Sequence, residues 1–370
     1  MSTDNFFESP QGAAVMKHAV LGRYIRLFVN KLGSTHETVH YLDGYAGPGV
    51  YADGSHGSPK LAADVAALVE DIRDLQCTFV EEDRGRAADL AALLENELPS
   101  ATVIRGDLRD HVEKIAQACD AAPLLAFIDP FGLGLTYDQL VRLAKRTNDK
   151  TDIIMNVSLS GIRRVGGHLL ATGTDPRYLK ARSTILERFD ATMGGDWWRD
   201  LLIKCRKSGE DAATKIASEY ANRCMAIRGG YFLAPVKDRW DGPPAYMLLL
   251  LAGHQDAFWN FNEFMSAGYD ELRALEPSAQ GTLLTYQDDF PPILEANIRS
   301  LLDRKSPVIL HAEMSSVYGE LLGIARGTHL RTAIKALAKE GFLSTASLNA
   351  KRDTVHNGQG DLEYMRLERV

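Results

Sequence analysis

The sequence is short of the features that mark secreted, membrane-spanning or polyanion-coating proteins. It has four cysteines in 370 residues, Cys77, Cys119, Cys205 and Cys224, scattered without a close pair. That spacing excludes a zinc knuckle or a thiol-exchange motif and leaves reduced core thiols. The longest apolar run, Ala245 to Ala252, is far too short to cross a bilayer, and MSTDNFFESPQG at the start lacks a basic region followed by an apolar core. A cytoplasmic chain with no membrane partner is expected. Positive charge is also in deficit. The formal net charge of −7 argues against a whole-surface polyanion binder, although it allows a local basic face. No cluster of histidines and cysteines offers a metal site, so no metal is expected. What the chain does have is 45% hydrophobic content, enough over this length for one large domain and a smaller one.

The most informative stretch is Tyr41-Leu42-Asp43-Gly44-Tyr45-Ala46-Gly47-Pro48-Gly49, an apolar strand ending in an acid and then a glycine loop. Glycines lacking a Cβ let the backbone turn sharply and let a ligand lie against its peptide groups. A pyrophosphate site needs a helix N-terminus directly after the glycines, and here Val50 to Gly57 intervene. Asp43 at the mouth would repel a pyrophosphate and suit a ligand carrying positive charge, such as S-adenosylmethionine.

In chain order, Val15 to Leu32 has helical spacing, with Lys17 and His18 at its start. These two read as a solvated helix end, with the alternative that Lys17 reaches toward a ligand or substrate. Val39 to Leu42 is the first strand, and Ser58-Pro59 makes a helix start with Ser58 as N-cap. Cys77 to Val80 is a second strand ending at Glu81, placed to accept from a ribose diol. Ala101 to Ile104 is a third, ending at Gly106-Asp107-Leu108, where Asp107 suits an adenine amino group and Leu108 its ring. Leu124 to Ile128 is a fully apolar fourth strand leading into Asp129-Pro130-Phe131-Gly132. Ligands collect at the carboxyl ends of strands in open α/β sheets, and four successive strands here each end in an acid. A fifth strand, Asp152 to Val157, and an antiparallel hairpin, Tyr231 to Val236 with Ala245 to Leu251, complete a mixed sheet.

This order resembles class I S-adenosylmethionine-dependent methyltransferases, with YLDGYAGPG, FVEED, RGD and IDPFG as successive motifs. More narrowly, YLDGYAGPG, HGSPKLAADVA, FIDPFGLGLTYDQLVRLAK and TDIIMNVS resemble the three-Cys-motif partner protein family over roughly Met16 to Ser158. That resemblance implies a methyltransferase-like domain and a separate partner protein carrying three cysteines. DPFG is also similar to the motif of tRNA guanine-N2 dimethyltransferases, and MKHAVL to a segment of bacterial rRNA adenine-N6 methyltransferases. Both act on an exocyclic amine, although Phe131 and Gly132 depart from the usual Pro-Pro-aromatic pattern. The implied site has S-adenosylmethionine held by Asp43, Gly44, Tyr45, Gly47, Gly49, Glu81, Asp107 and Leu108. Asp129 and the Pro130 carbonyl would orient the amine, and Phe131 would stack on the base.

Ser160 to Arg228 reads as a helical insertion whose Trp197 and Trp198 either pack helix to helix or, with arginines, cover the site. The expected domains are 1–277, methyltransferase-like, and 278–370, a linker and a winged-helix-like domain. The latter's third helix carries Arg331, Lys335 and Lys339, with Lys351 and Arg352 in the wing, for contacts to RNA or DNA or, alternatively, a protein docking surface. The expected function is methylation of an exocyclic amine of a nucleic-acid base or nucleoside. The alternatives are a small-molecule methyltransferase and a non-catalytic nucleotide-binding module acting with the three-cysteine partner.

Overall fold

The computed structural model describes residues 12–51, 54–130, 132–173, 175–274, 290–347 and 362–370. Within it the chain divides into two compact units, one ending at Gly253 and one starting at His254.

In the first unit, helix α1 (Gly12–Leu32) precedes alternating strands and helices: β1 (Thr38–Asp43), α2 (Ser58–Val69), β2 (Asp74–Glu81), α3 (Arg84–Glu97), β3 (Thr102–Arg105), α4 (Leu108–Ala118), β4 (Leu124–Ile128), α5 (Tyr137–Ala144) and β5 (Thr151–Val157). Every residue of β4 is buried, as its uninterrupted apolar sequence requires of a strand covered on both faces. The seven-stranded sheet has the order β3-β2-β1-β4-β5-β7-β6, where β6 is Gly230–Lys237 and β7 is Pro244–Ala252. Strands β1 to β5 pair in parallel, and β7 runs antiparallel to both β5 and β6. This is the class I methyltransferase-like, Rossmann-like mixed sheet that the motif order implies. The strand order reverses between β1 and β4, so the crevice at their carboxyl ends is the place where such sheets bind ligands. Register puts Asp43 level with Phe79 of β2 and Phe127 of β4, which brings the ends of the three strands to one edge.

Between β5 and β6 the chain makes four helices, α6 (Leu159–Leu170), α7 (Pro176–Met193), α8 (Trp197–Ser208) and α9 (Ala212–Arg228). They join the sheet core: Ile162, Val165, Leu202, Ile216 and Ala217 pack in one cluster with Leu42, Ile128 and Val157. Trp198 is fully buried edge-on to Phe189 at 4.7 Å between centroids, and its indole N–H donates to Asp190. Trp197 lies under the Arg223 guanidinium at 4.4 Å. Helix packing is therefore what the tryptophan pair does. The four cysteines are buried and free.

The second unit holds α10 (Gln255–Ala274), α11 (Phe290–Arg304), β8 (Val308–Ile309), α12 (Met314–Tyr318), α13 (Gly327–Lys339), β9 (Leu343–Ser347) and β10 (Met365–Arg369). The strands form an antiparallel sheet in the order β8-β10-β9. Helix α10, which the sequence reading assigned to the first domain, groups with this unit through its polar side. Asn262 donates to the Ala325 carbonyl and accepts from Gly323 N–H, both at 2.8 Å, while Ser266 donates to the Ile324 carbonyl at 2.6 Å. Apolar periodicity alone could not show which unit would satisfy those polar groups. The expected wing residues Lys351 and Arg352 lie outside the described residues. Among those described, no helix is long and apolar enough to cross a membrane.

Candidate functional site

The glycine loop after β1 is shaped by what packs on it. A Cβ at Gly44 would stand 2.5 Å from Leu108 Cδ2, so only glycine lets α4 approach the strand end. Gly47 and Gly49 take positive φ, 68° and 82°, and turn the chain back toward α2. The Gly47 N–H donates to Glu81 Oε2 at 2.9 Å, which ties the loop to the end of β2. Ser58 is the first residue of α2, with Gly57 as N-cap. The expectation of Ser58 as the cap is thereby corrected. Its hydroxyl is near the Asp43 carboxylate instead.

Asp43 is fully buried, and Oδ1 accepts from Tyr45 N–H at 3.2 Å. Oδ2 is buried, and the Ser58 and Tyr41 hydroxyls are the carboxylate's neighbours. Burial pushes the pKa of this carboxyl up to about 6; the Ser58 hydroxyl and Tyr45 N–H oppose the rise, and nearby Asp129 adds to it. A buried carboxylate on a glycine loop favours a cation or a hydrogen-bond donor beside it. The Tyr45 hydroxyl is also buried without a partner, and its ring lines the cavities on both sides of the loop.

Glu81 and Asp107 are placed as expected but are engaged by the protein. Glu81 Oε1 accepts from Asp83 N–H at 2.8 Å and from both Nε and Nη2 of Arg86, at 3.2 and 2.8 Å. Asp107 caps α4 by accepting from Arg109 N–H at 3.0 Å and pairs with the Arg109 guanidinium. Arg109, by hydrogen bond and charge, holds the Asp107 carboxyl below the usual carboxylate range. All four groups line one cleft of about 160 Å³ together with Gly44, Tyr45, Leu108, Pro130 and Gly132.

At the end of β4, Asp129 is bound from both sides. Oδ1 accepts from Asn156 Nδ2 at 2.9 Å, and Oδ2 pairs with the Lys17 ammonium. Burial acts to raise the Asp129 pKa, but Lys17 and then Asn156 outweigh it and hold the group below the usual carboxylate range. Burial likewise acts to lower the pKa of Lys17, and Asp129 more than compensates. Both are therefore charged at neutral pH. His18 beside them is kept neutral, its pKa pushed down to about 3 by burial and by the Lys17 charge. Lys17 is thus not a solvated helix end. The sequence offers a site role for Lys17 only as the alternative, because its partner lies 112 positions away. Asn156 was missed because nothing in an apolar strand distinguishes a functional asparagine. Phe131 lies outside the described residues.

A second cavity, of about 50 Å³, lies between β5 and the inserted helices. Pro130, Gly132 and Leu133 line both cavities.

The residues expected to touch nucleic acid lie in the second unit. Lys335 and Lys339 are exposed on α13 and Arg331 is half-buried, at the four-residue spacing of one helix face. The N-terminus of that helix is already occupied, because Glu263 accepts from Gly327 N–H at 2.6 Å.

Comparison of the sequence with protein-family models and with curated proteins gives no match. Among solved structures, the chain is similar to plantazolicin methyltransferase in complex with a triazolic desmethylPZN analog and SAH, with 12% identity over 65% of this chain and 85% of that one and a TM-score of 0.29. It is also similar to a protein from Legionella pneumophila str. Philadelphia 1, with 11% identity over 66% of this chain and 86% of that one and a TM-score of 0.35. The fold class is carried by the strand order, not by these likenesses.

Proposed function

We propose that the chain is an S-adenosylmethionine-dependent methyltransferase acting on an exocyclic amine of a nucleic-acid base or nucleoside. The observation that supports this reading best is that Pro130, Gly132 and Leu133 line two cavities, directly after the ionised Asp129. Group transfer needs two ligands that meet at one wall, and a simple binding module needs only one cavity. The residues fit the cofactor in kind. Asp43 is a buried carboxylate for a cationic amino group, Glu81 Oε2 keeps a lone pair for a ribose hydroxyl, and Leu108 supplies an apolar wall. When bound, S-adenosylmethionine supplies an electrophilic methyl group on a positively charged sulfur.

Asp129 and the Pro130 carbonyl would take N–H groups of the acceptor amine, localising its lone pair and aiming it. The depressed pKa of Asp129 makes it an orienting acceptor rather than a proton store. The proton displaced from nitrogen goes to solvent. Lys17 keeps Asp129 ionised and fixed. The three-cysteine partner and a nucleic-acid contact through Lys335 and Lys339 belong to the same proposal.

The test is transfer of labelled methyl from S-adenosylmethionine to RNA, DNA and nucleosides by the full chain, with Asp129→Asn and Lys17→Met as controls. Transfer reduced at least a hundredfold in both variants is expected. No transfer to any of these acceptors by a wild type that binds the cofactor would contradict it. That result would favour the second reading, a nucleotide-binding module, for which the occupancy of both Asp129 oxygens is the supporting observation.

A further inference from the structure

The cavity beyond Pro130 has apolar walls, among them Met155, Ile162, Phe189 and Met193, and Asn156 of its lining carries a polar atom without a hydrogen-bond partner among the described residues. That atom is Oδ1, which is buried. Tyr220 also lines the cavity, and its buried hydroxyl has the Cys224 thiol as its hydrogen-bonding neighbour. The orientation of the Asn156 amide is fixed by chemistry. An ionised carboxylate only accepts, so the group facing Asp129 Oδ1 at 2.9 Å must be the NH₂. The carbonyl oxygen is left as the free end, and buried acceptors without donors are rare because each one costs free energy that a ligand N–H would restore. The cavity also offers aromatic and thioether side chains, Phe189, Met155 and Met193, for a planar ring to lie against.

We propose that this cavity, walled on one side by the inserted helices, receives the acceptor as a planar heteroaromatic ring bearing an N–H donor, which Asn156 Oδ1 accepts. The Tyr220 ring is part of the wall. The inference rests on the methyl-transfer reading for its account of why the ring lies beside the cofactor cleft. It assigns specificity to Asn156, one bond removed from Asp129, and to α9 of the insertion. A ring presenting only acceptors at that edge would leave Asn156 Oδ1 unpaired and face it with a second lone pair.

The test is a titration of the full chain, with and without S-adenosylhomocysteine, using adenosine and cytidine and the matching purine and pyrimidinone ribosides that lack the exocyclic amine. At least one amine-bearing nucleoside should bind about ten- to a hundredfold more tightly than its amine-free counterpart. Asn156→Ser should narrow that ratio by about threefold or more, the remainder being held by Asp129 and the Pro130 carbonyl, while Tyr220→Phe should keep the ratio unchanged. The comparison of ligands on the wild type needs no variant, so it decides the matter even if Asn156→Ser does not fold. Equal affinity within both pairs, or no binding of any of the four, overturns the proposal. Retained binding of S-adenosylhomocysteine in that case leaves the cofactor site standing. Loss of S-adenosylhomocysteine binding alone overturns the methyl-transfer reading, and the nucleoside ratios still decide the pocket.

Discussion

Four carboxylates stand at the ends of four neighbouring strands, yet the pair at β1 and β4 and the pair at β2 and β3 do different work. Asp107 is tied up locally and Glu81 largely so: each takes a backbone N–H and an arginine from the first turn of the helix that follows it, and Glu81 adds the distant Gly47 N–H. The local partners, two to five residues away, come with any strand-loop-helix that ends in an acid. Asp43 and Asp129 are fully or nearly buried, and their environments depend on distant residues, Ser58, Lys17 and Asn156. Local partners make a cap or a brace, whereas long-range partners set the charge state of a site.

Disrupting the Asp129 pair should have the largest effect. Asp129→Ala leaves the Lys17 ammonium buried without its counter-ion and should destabilise the first unit by about 3–5 kcal/mol in urea unfolding. Lys17→Met combined with Asp129→Leu should recover most of that stability while leaving transfer abolished, because desolvating an ion pair offsets much of its attraction. If the single and double variants were equally unstable, the pair would not be the buried unit described here. Glu81→Gln is intermediate, removing a charged acceptor of Gly47 N–H and of Arg86, and should cost about 2 kcal/mol in thermal or urea unfolding. Asp107→Ala should cost the least, about 1 kcal/mol, because it removes a helix cap and a partly exposed ion pair. An Asp107 effect as large as that of Asp129 would erase the distinction between the two pairs.

The same contrast explains what could be read from sequence. Strands such as Leu124–Ile128 and the acids that end them were legible because both are local: an apolar run, then a charged residue where a parallel strand meets solvent. The insertion was legible as helical from its periodicity. Lys17 was not, since a lysine near a helix start ordinarily extends into water, and only the fold carries it to Asp129. Asn156 looks like an unremarkable member of a largely apolar strand. Its significance is a property of an unpaired atom, which exists only after packing. The Glu81–Arg86 pair is legible in principle, since five residues separate the two across one strand-to-helix turn.

The most direct test of the central claim, that the buried Asp43 and its glycine loop form a cofactor site, is calorimetric titration of S-adenosylhomocysteine into wild type and Asp43→Asn between pH 5 and pH 8. With a pKa of about 6, raised by burial from 3.8, Asp43 is mostly protonated at the low end of that range and charged at the high end. Affinity for the cationic amino group should therefore increase as pH rises through about 6, by up to about tenfold per unit below it. Fold stability should respond in the opposite sense. The folded state binds this proton more tightly than the unfolded one, so the Asp43 contribution to stability declines between about pH 3.8 and pH 6 and is absent from Asp43→Asn. The account predicts tight, pH-dependent binding by the wild type and binding at least tenfold weaker and flat with pH in the variant; no binding by the wild type, or equal binding by a correctly folded Asp43→Asn, would contradict it.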